Sequence, residues 1–169
     1  MSRLTRQLII MTFIVLLLAL SLAACDSVAA SRTPAIPLAK VVEAGGVVRT
    51  SLPIKIHHSH FQYAFYDEHG ETKWETRAAD LYPTDVFVSY DADRQVLRVF
   101  LARSPHMGCL LNWEPDTRTF KDPCFGSRFA SDGAYETGPS PRSLDELPAE
   151  IVDGMIWVRD EVIYGQEHP

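Results

Sequence analysis

Two short segments in the C-terminal half of the chain carry the residue types that metal or redox chemistry needs. The first box, residues 104–109, reads S-P-H-M-G-C, and the second box, residues 122–127, reads D-P-C-F-G-S. Imidazole and thiolate groups are common ligands of transition metals. Each box also contains proline and glycine, which are typical of loops. The two boxes therefore indicate a pair of loops that could form a metal or redox site.

The boxes hold two of the three cysteines of the chain, Cys109 and Cys124. In an oxidising compartment such a pair most often forms a disulfide. Closing a loop with 14 intervening residues would stabilise the protein by about 3 kcal/mol on the chain-entropy model. The alternative is a pair of thiolate metal ligands, although the spacing is not that of a C-x-x-C motif. Both interpretations are open at this point.

The segments that must position the boxes have the pattern of β-strands. Residues 84–90 and 95–102 are two β-branched and aromatic runs separated by a turn, which predicts a hairpin leading into the first box. Short strands with turn residues between them surround the second box. We find no amphipathic helix longer than about two turns and no glycine-rich phosphate loop. The chain is therefore predicted to be an all-β protein.

With this frame around them, the two boxes resemble the cluster-binding loops of the Rieske iron–sulfur family, C-x-H-x-G-C and C-P-C-H-G-S. The order of features from Val86 to Val158 is also similar to that of a Rieske domain. It includes a tryptophan after the first box, Trp113, and a G-P-S-P-R segment at residues 138–142 that looks like the proline-rich segment of the family. The resemblance covers about half of the chain beyond residue 40, and residues 41–85 fit only loosely.

The resemblance implies a Rieske-like antiparallel β-sandwich with two cluster-type loops joined by a Cys109–Cys124 disulfide. A Rieske cluster is held by two cysteines on one iron and two histidines on the other. Of the family's four ligand positions, one carries the ligand type of the family, His106. The other three positions carry Ser104, Asp122 and Phe125. Oxygen is a harder ligand than thiolate and suits an iron–sulfur core poorly. We therefore expect no 2Fe–2S cluster and no other cofactor, with His106 as the one remaining candidate metal ligand.

A physical account of this loss follows from the volume that a missing cluster leaves. An empty polar hole has a stability cost, so other groups must occupy it. We expect Phe125 to fill the space, Ser104 and Asp122 to accept hydrogen bonds from loop N–H groups, and His106 to pair with Asp122.

The N-terminal residues predict export and membrane attachment. Arg3 and Arg6 precede an apolar run at residues 8–22, and the sequence L-A-A-C ends at Cys25. This pattern resembles a bacterial lipobox, which implies a signal peptide at residues 1–24 and lipidation of Cys25. An uncleaved membrane helix is the alternative, although the run is short for a span of about 20 residues. Both interpretations place the protein outside the cytoplasm and tethered to the cell membrane.

Composition divides the rest of the chain into a linker and one domain. Residues 25–40 are rich in Ala, Ser and Pro and predict a flexible linker, with a strand docked on the domain as the alternative for the last few of them. Residues 41–169 are assigned to the Rieske-like domain. The first 24 residues contain two arginines and no acidic residue, so the formal charge beyond them is −8, against −6 for the whole sequence. That charge argues against nucleic acid as a partner. The expected partners are a membrane, through the lipid anchor, and a protein complex.

Other histidine and serine residues suggest chemistry that we weigh less. His57, His58 and His60 form a compact cluster, of which His58 and His60 would share one face of a strand as a metal pair. A polar exposed edge explains them as well. Ser104, His106 and Asp122 have the residue types of a hydrolase triad, but no nucleophile-elbow motif accompanies them. We do not expect an enzyme.

The function that follows is that of a lipid-anchored, non-enzymatic Rieske-fold protein, acting as a structural or binding subunit of an envelope complex. Only analogy with the family supports a description of that complex as respiratory. One alternative is an electron-transfer protein with an atypical 2Fe–2S or mononuclear metal site. Another is a domain that binds a small ligand in the vacated cleft, which a deep pocket would favour and a plug formed by Phe125 would oppose.

Overall fold

A computed structural model of the protein describes residues 31–168. Within that range the chain forms short antiparallel strands and a helix of six residues, α1, at Leu38–Glu43. The strands are β1 Arg32–Pro37, β2 Val47–Leu52, β3 Ile56–Tyr66, β4 Thr72–Leu81, β5 Thr84–Asp91, β6 Val96–Leu101, β7 Asn112–Glu114, β8 Thr119–Lys121, β9 Arg128–Ala130, β10 Tyr135–Thr137, β11 Ala149–Val152 and β12 Met155–Arg159. In residues 31–168 no helix is long and apolar enough to cross a membrane.

The strands pair into four sheets, in the orders β1-β12-β11, β2-β5-β6, β10-β9-β8-β7 and β3-β4. Every strand pair in these sheets is antiparallel. The predicted antiparallel all-β class is therefore confirmed. The predicted signal peptide and Cys25 lie outside the described residues.

The sheet β2-β5-β6 separates two hydrophobic cores because side chains on a strand alternate between its faces. Val86 and Val88 of β5 face the first core, together with residues from α1 and β12. Phe87 and Phe100 face the second core on the opposite side. The register of the β5–β6 hairpin places residues of the same core opposite each other: Val88 is opposite Val99, and Phe87 is opposite Phe100. The predicted hairpin thus forms the central layer of the domain.

The second core supports both boxes. The Phe120 ring on β8 contacts Phe87 at 5.0 Å, Phe100 at 5.4 Å and Trp113 at 4.7 Å between ring centroids. Phe120 is two residues before the second box, and the buried Ala102 is two residues before the first. The aromatic packing therefore sets the positions from which both loops leave the sheets.

The N-terminal part of the domain differs from the expected linker. Among residues 25–40, those from Arg32 onward form β1 and the start of α1. Strand β1 pairs with β12, and Val41 of α1 is fully buried in the first core. The prolines are compatible with a strand because β1 lies at the edge of its sheet, where one side needs no N–H donor. The folded domain therefore begins at residue 32 and not at residue 41.

The β3–β4 hairpin is the largest element that the sequence only loosely indicated. Strand β4 is mostly exposed. Strand β3 contacts the first box. Gln62 of β3 forms an isolated parallel bridge with His106. Its N–H donates to the Pro105 carbonyl at 3.0 Å, and its carbonyl accepts from the Met107 N–H at 2.8 Å. The hairpin is thus attached to the loop that carries the candidate ligand.

Gly133, in the turn before β10, is a position at which we expect an added methyl group to be damaging. It has φ +82°, and a Cβ there would lie 2.5 Å from Cε1 of the fully buried Phe100. Gly133→Ala should lower the free energy of unfolding by roughly 2–5 kcal/mol, because it adds both overpacking and backbone strain. Denaturant titration of the purified protein measures this.

Gly70→Ala is the matched control. Gly70 has φ +78°, but an added Cβ meets no other atom within 4 Å in the described part of the chain. It should therefore cost only the left-handed backbone term of roughly 1–2 kcal/mol. Equal losses for the two substitutions would contradict the packing explanation.

Candidate functional site

The two boxes lie side by side and are joined by a disulfide. Cys109 of the first box and Cys124 of the second are bonded, with a Cα–Cα distance of 6.3 Å. This confirms the predicted pairing over the alternative of two free thiolates. The first box follows β6, and the second connects β8 to β9.

Each box is also closed by its own backbone hydrogen bonds. In the first box, the Ser104 N–H donates to the Cys109 carbonyl at 2.8 Å. In the second box, the Asp122 N–H donates to the Ser127 carbonyl at 2.8 Å, and the Gly126 N–H donates to the Asp122 carbonyl at 2.9 Å. Both loops therefore have internal bonds that do not involve sulfur.

Ser104 and Asp122 are fully buried and bind backbone N–H groups, as the sequence led us to expect. The Ser104 hydroxyl accepts from the His106 N–H at 3.3 Å. Oδ1 of Asp122 accepts from the N–H groups of Cys124 at 2.8 Å and Phe125 at 3.1 Å. Oδ2 of Asp122 is buried and has no hydrogen-bond partner among residues 31–168. Asp122 thus orders the second box with one oxygen and leaves the other unsatisfied.

His106 is 1% exposed and contacts a different partner from the one expected. Its Nδ1 lies 3.4 Å from Oε1 of Gln62, so the tautomer protonated on Nδ1 donates a long hydrogen bond. The expected His106–Asp122 pair is replaced by this contact, because the β3 backbone bridge brings Gln62 alongside the loop. The sequence offered no signal for Gln62, which is 44 positions away.

Two aromatic rings cover the His106 imidazole. Phe125 meets it edge to face at 4.9 Å, and Trp74 of β4 lies against it at 4.9 Å and 50°. Phe125 is 46% exposed and Trp74 is 49% exposed, so each forms part of the protein surface. Phe125 therefore caps His106 from outside and does not fill an interior hole as expected. Trp74 is a site residue that the sequence did not identify.

The electrostatics of the site favour a neutral imidazole. Burial lowers the pKa of His106 from its usual 6.5, and the negative charge of Asp122 opposes that effect without reversing it. Desolvation dominates because removing a charged ring from water costs more than the nearby carboxylate returns.

The residues at the four cluster positions do not fit a 2Fe–2S group. The Ser104 hydroxyl and Oδ1 of Asp122 already accept backbone N–H bonds, and the Phe125 ring offers no ligand atom. Cys109 and Cys124 are bonded to each other. His106 is thus the one position with the donor type that such a cluster requires.

A buried ion pair attaches the proline-rich segment to the rest of the domain. Arg142 donates to both carboxylate oxygens of Asp145 at 2.8 Å and to the His60 carbonyl at 2.6 Å. On the same segment, the Ser140 N–H donates to the Ser127 hydroxyl at 3.1 Å. The segment therefore packs against the second box, and the charges explain why Arg142 is buried.

The histidine cluster on β3 contacts several different partners. The His57 imidazole lies 3.4 Å from the Asp80 carboxylate. The His60 ring stacks on Tyr164 with centroids 5.0 Å apart. The proposed His58–His60 metal pair is untested, because the His58 side chain lies outside the description.

A cavity of about 410 Å³ lies away from the boxes, between the turn after α1 and the β7–β8 turn. Its lining includes Gly45, Tyr90, Trp113 and Arg118, and neither His106 nor Asp122. The cover that Phe125 forms over His106 counts against a ligand cleft between the boxes.

An antiparallel β domain with two disulfide-linked loops of this spacing is similar to Rieske-type domains. Known iron–sulfur subunits are similar to this chain in sequence, although no family model matches the chain. It is 38% identical over 53 residues to the cytochrome b6-f complex iron-sulfur subunit 2 of Nostoc sp. (strain PCC 7120), covering 31% of this chain and 30% of that protein. It is 47% identical over 49 residues to the corresponding subunit of Synechococcus sp. (strain JA-3-3Ab), covering 29% and 28%.

A longer match, 35% identical over 89 residues, is to the chloroplastic cytochrome b6-f complex iron-sulfur subunit of Bigelowiella natans, and it covers 50% of this chain and 35% of that protein. The chain therefore matches about a third of the length of these relatives. Over that length it is similar in sequence to these iron–sulfur subunits. Among solved structures, the plasma membrane Rieske protein PetC3 of Synechocystis PCC 6803 aligns with a TM-score of 0.48 at 19% identity, over 75% of this chain and 99% of that chain.

Burial of His106 should make stability depend on pH. The unfolded chain binds a proton near the ordinary pKa of 6.5, and the folded protein binds it only at lower pH. The unfolded state therefore holds more protons in the window below 6.5, so the free energy of unfolding falls as pH falls through that window. His106→Gln should lose part of this dependence, as measured by denaturant titration at several pH values.

His69→Gln is the matched control, because it removes an imidazole from the exposed β3–β4 turn without changing the boxes. The titration of the His106 ring, followed by NMR, should also have its midpoint below 6.5. An identical pH profile for the parent and His106→Gln would contradict the assignment.

Proposed function

We propose that the protein is a membrane-anchored, extracytoplasmic Rieske-fold protein that works without a 2Fe–2S cluster. Its role is that of a structural or binding subunit of an envelope complex, and it is not an enzyme. One observation carries the proposal: Ser104, Asp122 and Phe125 occupy three of the four ligand positions and already hold the loops by other contacts. These residues leave no set of ligands to which a cluster could bind, although the Rieske-like β domain around them is present.

The disulfide and the hydrogen bonds of Asp122 support the structural part of this role. In a Rieske site the cluster links the two loops to each other. Here Cys109–Cys124 links them, and Asp122 orders the second loop through two N–H groups. The loops are thus held in place by the protein's own bonds, as a binding surface requires.

Exposed apolar side chains at the boxes support the binding part. Trp74 and Phe125 are about half exposed over His106, and Leu110, next to the disulfide, is 39% exposed. Aromatic residues in such patches are common anchors of protein–protein contacts. The relatives named above are subunits of a cytochrome b6-f complex, and we extend that kind of role to this chain. Its partner is then a membrane protein of the envelope.

The membrane attachment rests on the N-terminal sequence. The lipobox pattern ending at Cys25 supports a signal peptide at residues 1–24 and lipidation of Cys25. Acyl chains contribute about 0.8 kcal/mol per buried CH₂, so several of them hold a protein firmly at a membrane.

An electron-transfer protein with a mononuclear metal is the second candidate. The observation that favours it is the retained His106 imidazole, which is neutral at ordinary pH and subject to the charge of Asp122. A neutral imidazole is the form that binds metals.

Iron content separates the two candidates. The full chain, purified from membranes in detergent, should be colourless, contain no stoichiometric iron and give no electron paramagnetic resonance signal after reduction. The reason is the lack of thiolate and imidazole donors at three of the four positions. A Rieske relative purified in the same way is the positive control. About two irons per chain, with a red-brown colour, would overturn the proposal; one metal per chain lost in His106→Gln would establish the second candidate.

Native gel electrophoresis of solubilised membranes tests the complex. The chain should migrate in an assembly larger than itself, and Trp74→Ser combined with Phe125→Ser should release it by removing the apolar anchors. Tyr66→Ser is the matched control, because Tyr66 is an aromatic residue, 78% exposed, at the far end of the same hairpin. Migration of the parent protein as a free chain would contradict the binding role.

A further inference from the structure

The carboxylate of Asp122 lies beside the disulfide. A carboxylate oxygen of Asp122 and the sulfur atoms of Cys109 and Cys124 are all within 4.8 Å of one another. The carboxylate is fully buried, and its Oδ2 has no hydrogen-bond partner in the part of the chain that the structure describes. A buried polar atom left without a partner costs about 1–3 kcal/mol. The arrangement therefore lacks something that an additional ligand could supply.

These three atoms could adopt the spacing of a metal site once the bond between the two sulfurs is broken. Zinc binds thiolate sulfur at about 2.3 Å and carboxylate oxygen at about 2.1 Å, so tetrahedral ligand atoms lie roughly 3.5–3.8 Å apart. Atoms that are already within 4.8 Å of each other reach that spacing with small side-chain movements. The carboxylate is oriented in advance, because Oδ1 is held by the N–H groups of Cys124 and Phe125.

The disulfide itself prevents metal binding, because a cysteine binds zinc as the free thiolate and not as part of a disulfide. Reduction would remove this obstacle, and the ring contact between Phe125 of the second box and His106 of the first box would still connect the loops. The first box keeps the Ser104–Cys109 backbone bond, and the second keeps the Asp122–Ser127 bond. Arg103 and Leu110 also pair across the base of the first box. The two thiols would therefore remain near Asp122 after the sulfur–sulfur bond is broken.

We propose that the disulfide is a redox-controlled lock on a zinc site formed by Cys109, Cys124 and Asp122. An external dithiol donates two electrons and two protons to the disulfide, giving two protein thiols and leaving the dithiol as its own disulfide. Zn²⁺ then displaces the two thiol protons and binds both sulfurs and Oδ2 of Asp122, with water as the fourth ligand. Two thiolates and one carboxylate suit zinc, which is borderline in softness and tetrahedral. An external disulfide reverses the step: it accepts two electrons and, with two protons from solvent, becomes a dithiol, while the Cys109–Cys124 bond re-forms and the ion is released.

Exposure of the site supports access by a reductant. Cys124 is exposed, Cys109 is partly exposed and Asp122 is buried behind them. A thiolate can thus attack the sulfur of Cys124 from solvent, and an ion can enter by the same side. The proposal rests on the proposed function in one respect: no iron–sulfur cluster occupies the space between the loops.

The test is a zinc titration of the full chain in detergent, before and after treatment with a phosphine reductant. Cys25→Ser is present in every sample so that Cys109 and Cys124 are the cysteines that respond. We expect one Zn²⁺ per reduced chain, none per oxidised chain, and release of zinc on reoxidation. Co²⁺ in place of Zn²⁺ should give thiolate-to-metal charge-transfer absorption for two sulfur ligands.

Asp122→Asn is the decisive variant, because its side-chain carbonyl can still accept the two loop N–H bonds while the carboxylate ligand is lost. It should weaken zinc binding to the reduced chain at least about tenfold. Asp132→Asn, which neutralises an exposed acid outside the group, should bind as the parent does. Equal zinc binding by oxidised and reduced protein, or by Asp122→Asn and the parent, would overturn the proposal.

The Co²⁺ spectrum of the parent decides the matter if Asp122→Asn does not fold, since a reduced parent without thiolate–cobalt absorption also overturns it. Failure here is distinct from failure of the proposed function. The latter is read from iron in the oxidised protein as purified, and the zinc site is read only after reduction.

Discussion

The connection between the two boxes is the constraint on which the rest of the structure depends. Two loops that leave different sheets must stay together although three of the four cluster ligands of a Rieske site are replaced. The Cys109–Cys124 bond supplies the covalent part, and Asp122 supplies the polar part by accepting two N–H groups of its own loop. The proline-rich segment adds a third contact, from Ser140 to Ser127.

The central sheet, β2-β5-β6, connects the two boxes to the rest of the fold. The alternation of β5 and β6 places valines in one core and phenylalanines in the other, so one hairpin supports both. The second core holds Phe120 and thereby the strand that enters the second box. On the outside, the β3–β4 hairpin pairs with the first box and covers His106 with Trp74. The candidate ligand is therefore enclosed by elements distant in sequence, which is also why burial lowers its pKa.

The replaced ligands have acquired contacts suited to their own chemistry. A hydroxyl and a carboxylate accept hydrogen bonds readily, and Ser104 and Asp122 do so here. A phenyl ring packs against other rings, and Phe125 meets His106 edge to face. The exception is Oδ2 of Asp122, whose missing partner within residues 31–168 distinguishes it from an ordinary loop-ordering residue. The sequence similarity to iron–sulfur subunits and the chemistry of these particular residues therefore point to different roles.

Residue types and their spacing alone determined the strand alternation, the class of the fold and the two loops, and the family resemblance implied the pairing of Cys109 with Cys124. These features are local or follow from a motif of fixed length, so a single sequence contains them. Tertiary structure decided that residues 32–37 join β12, that Gln62 and not Asp122 contacts His106, and that Trp74 covers it. Such contacts join residues tens of positions apart, and many strand pairings satisfy the same hydrophobic pattern. Only the packed chain selects one of them, and with it the surroundings of the one retained ligand.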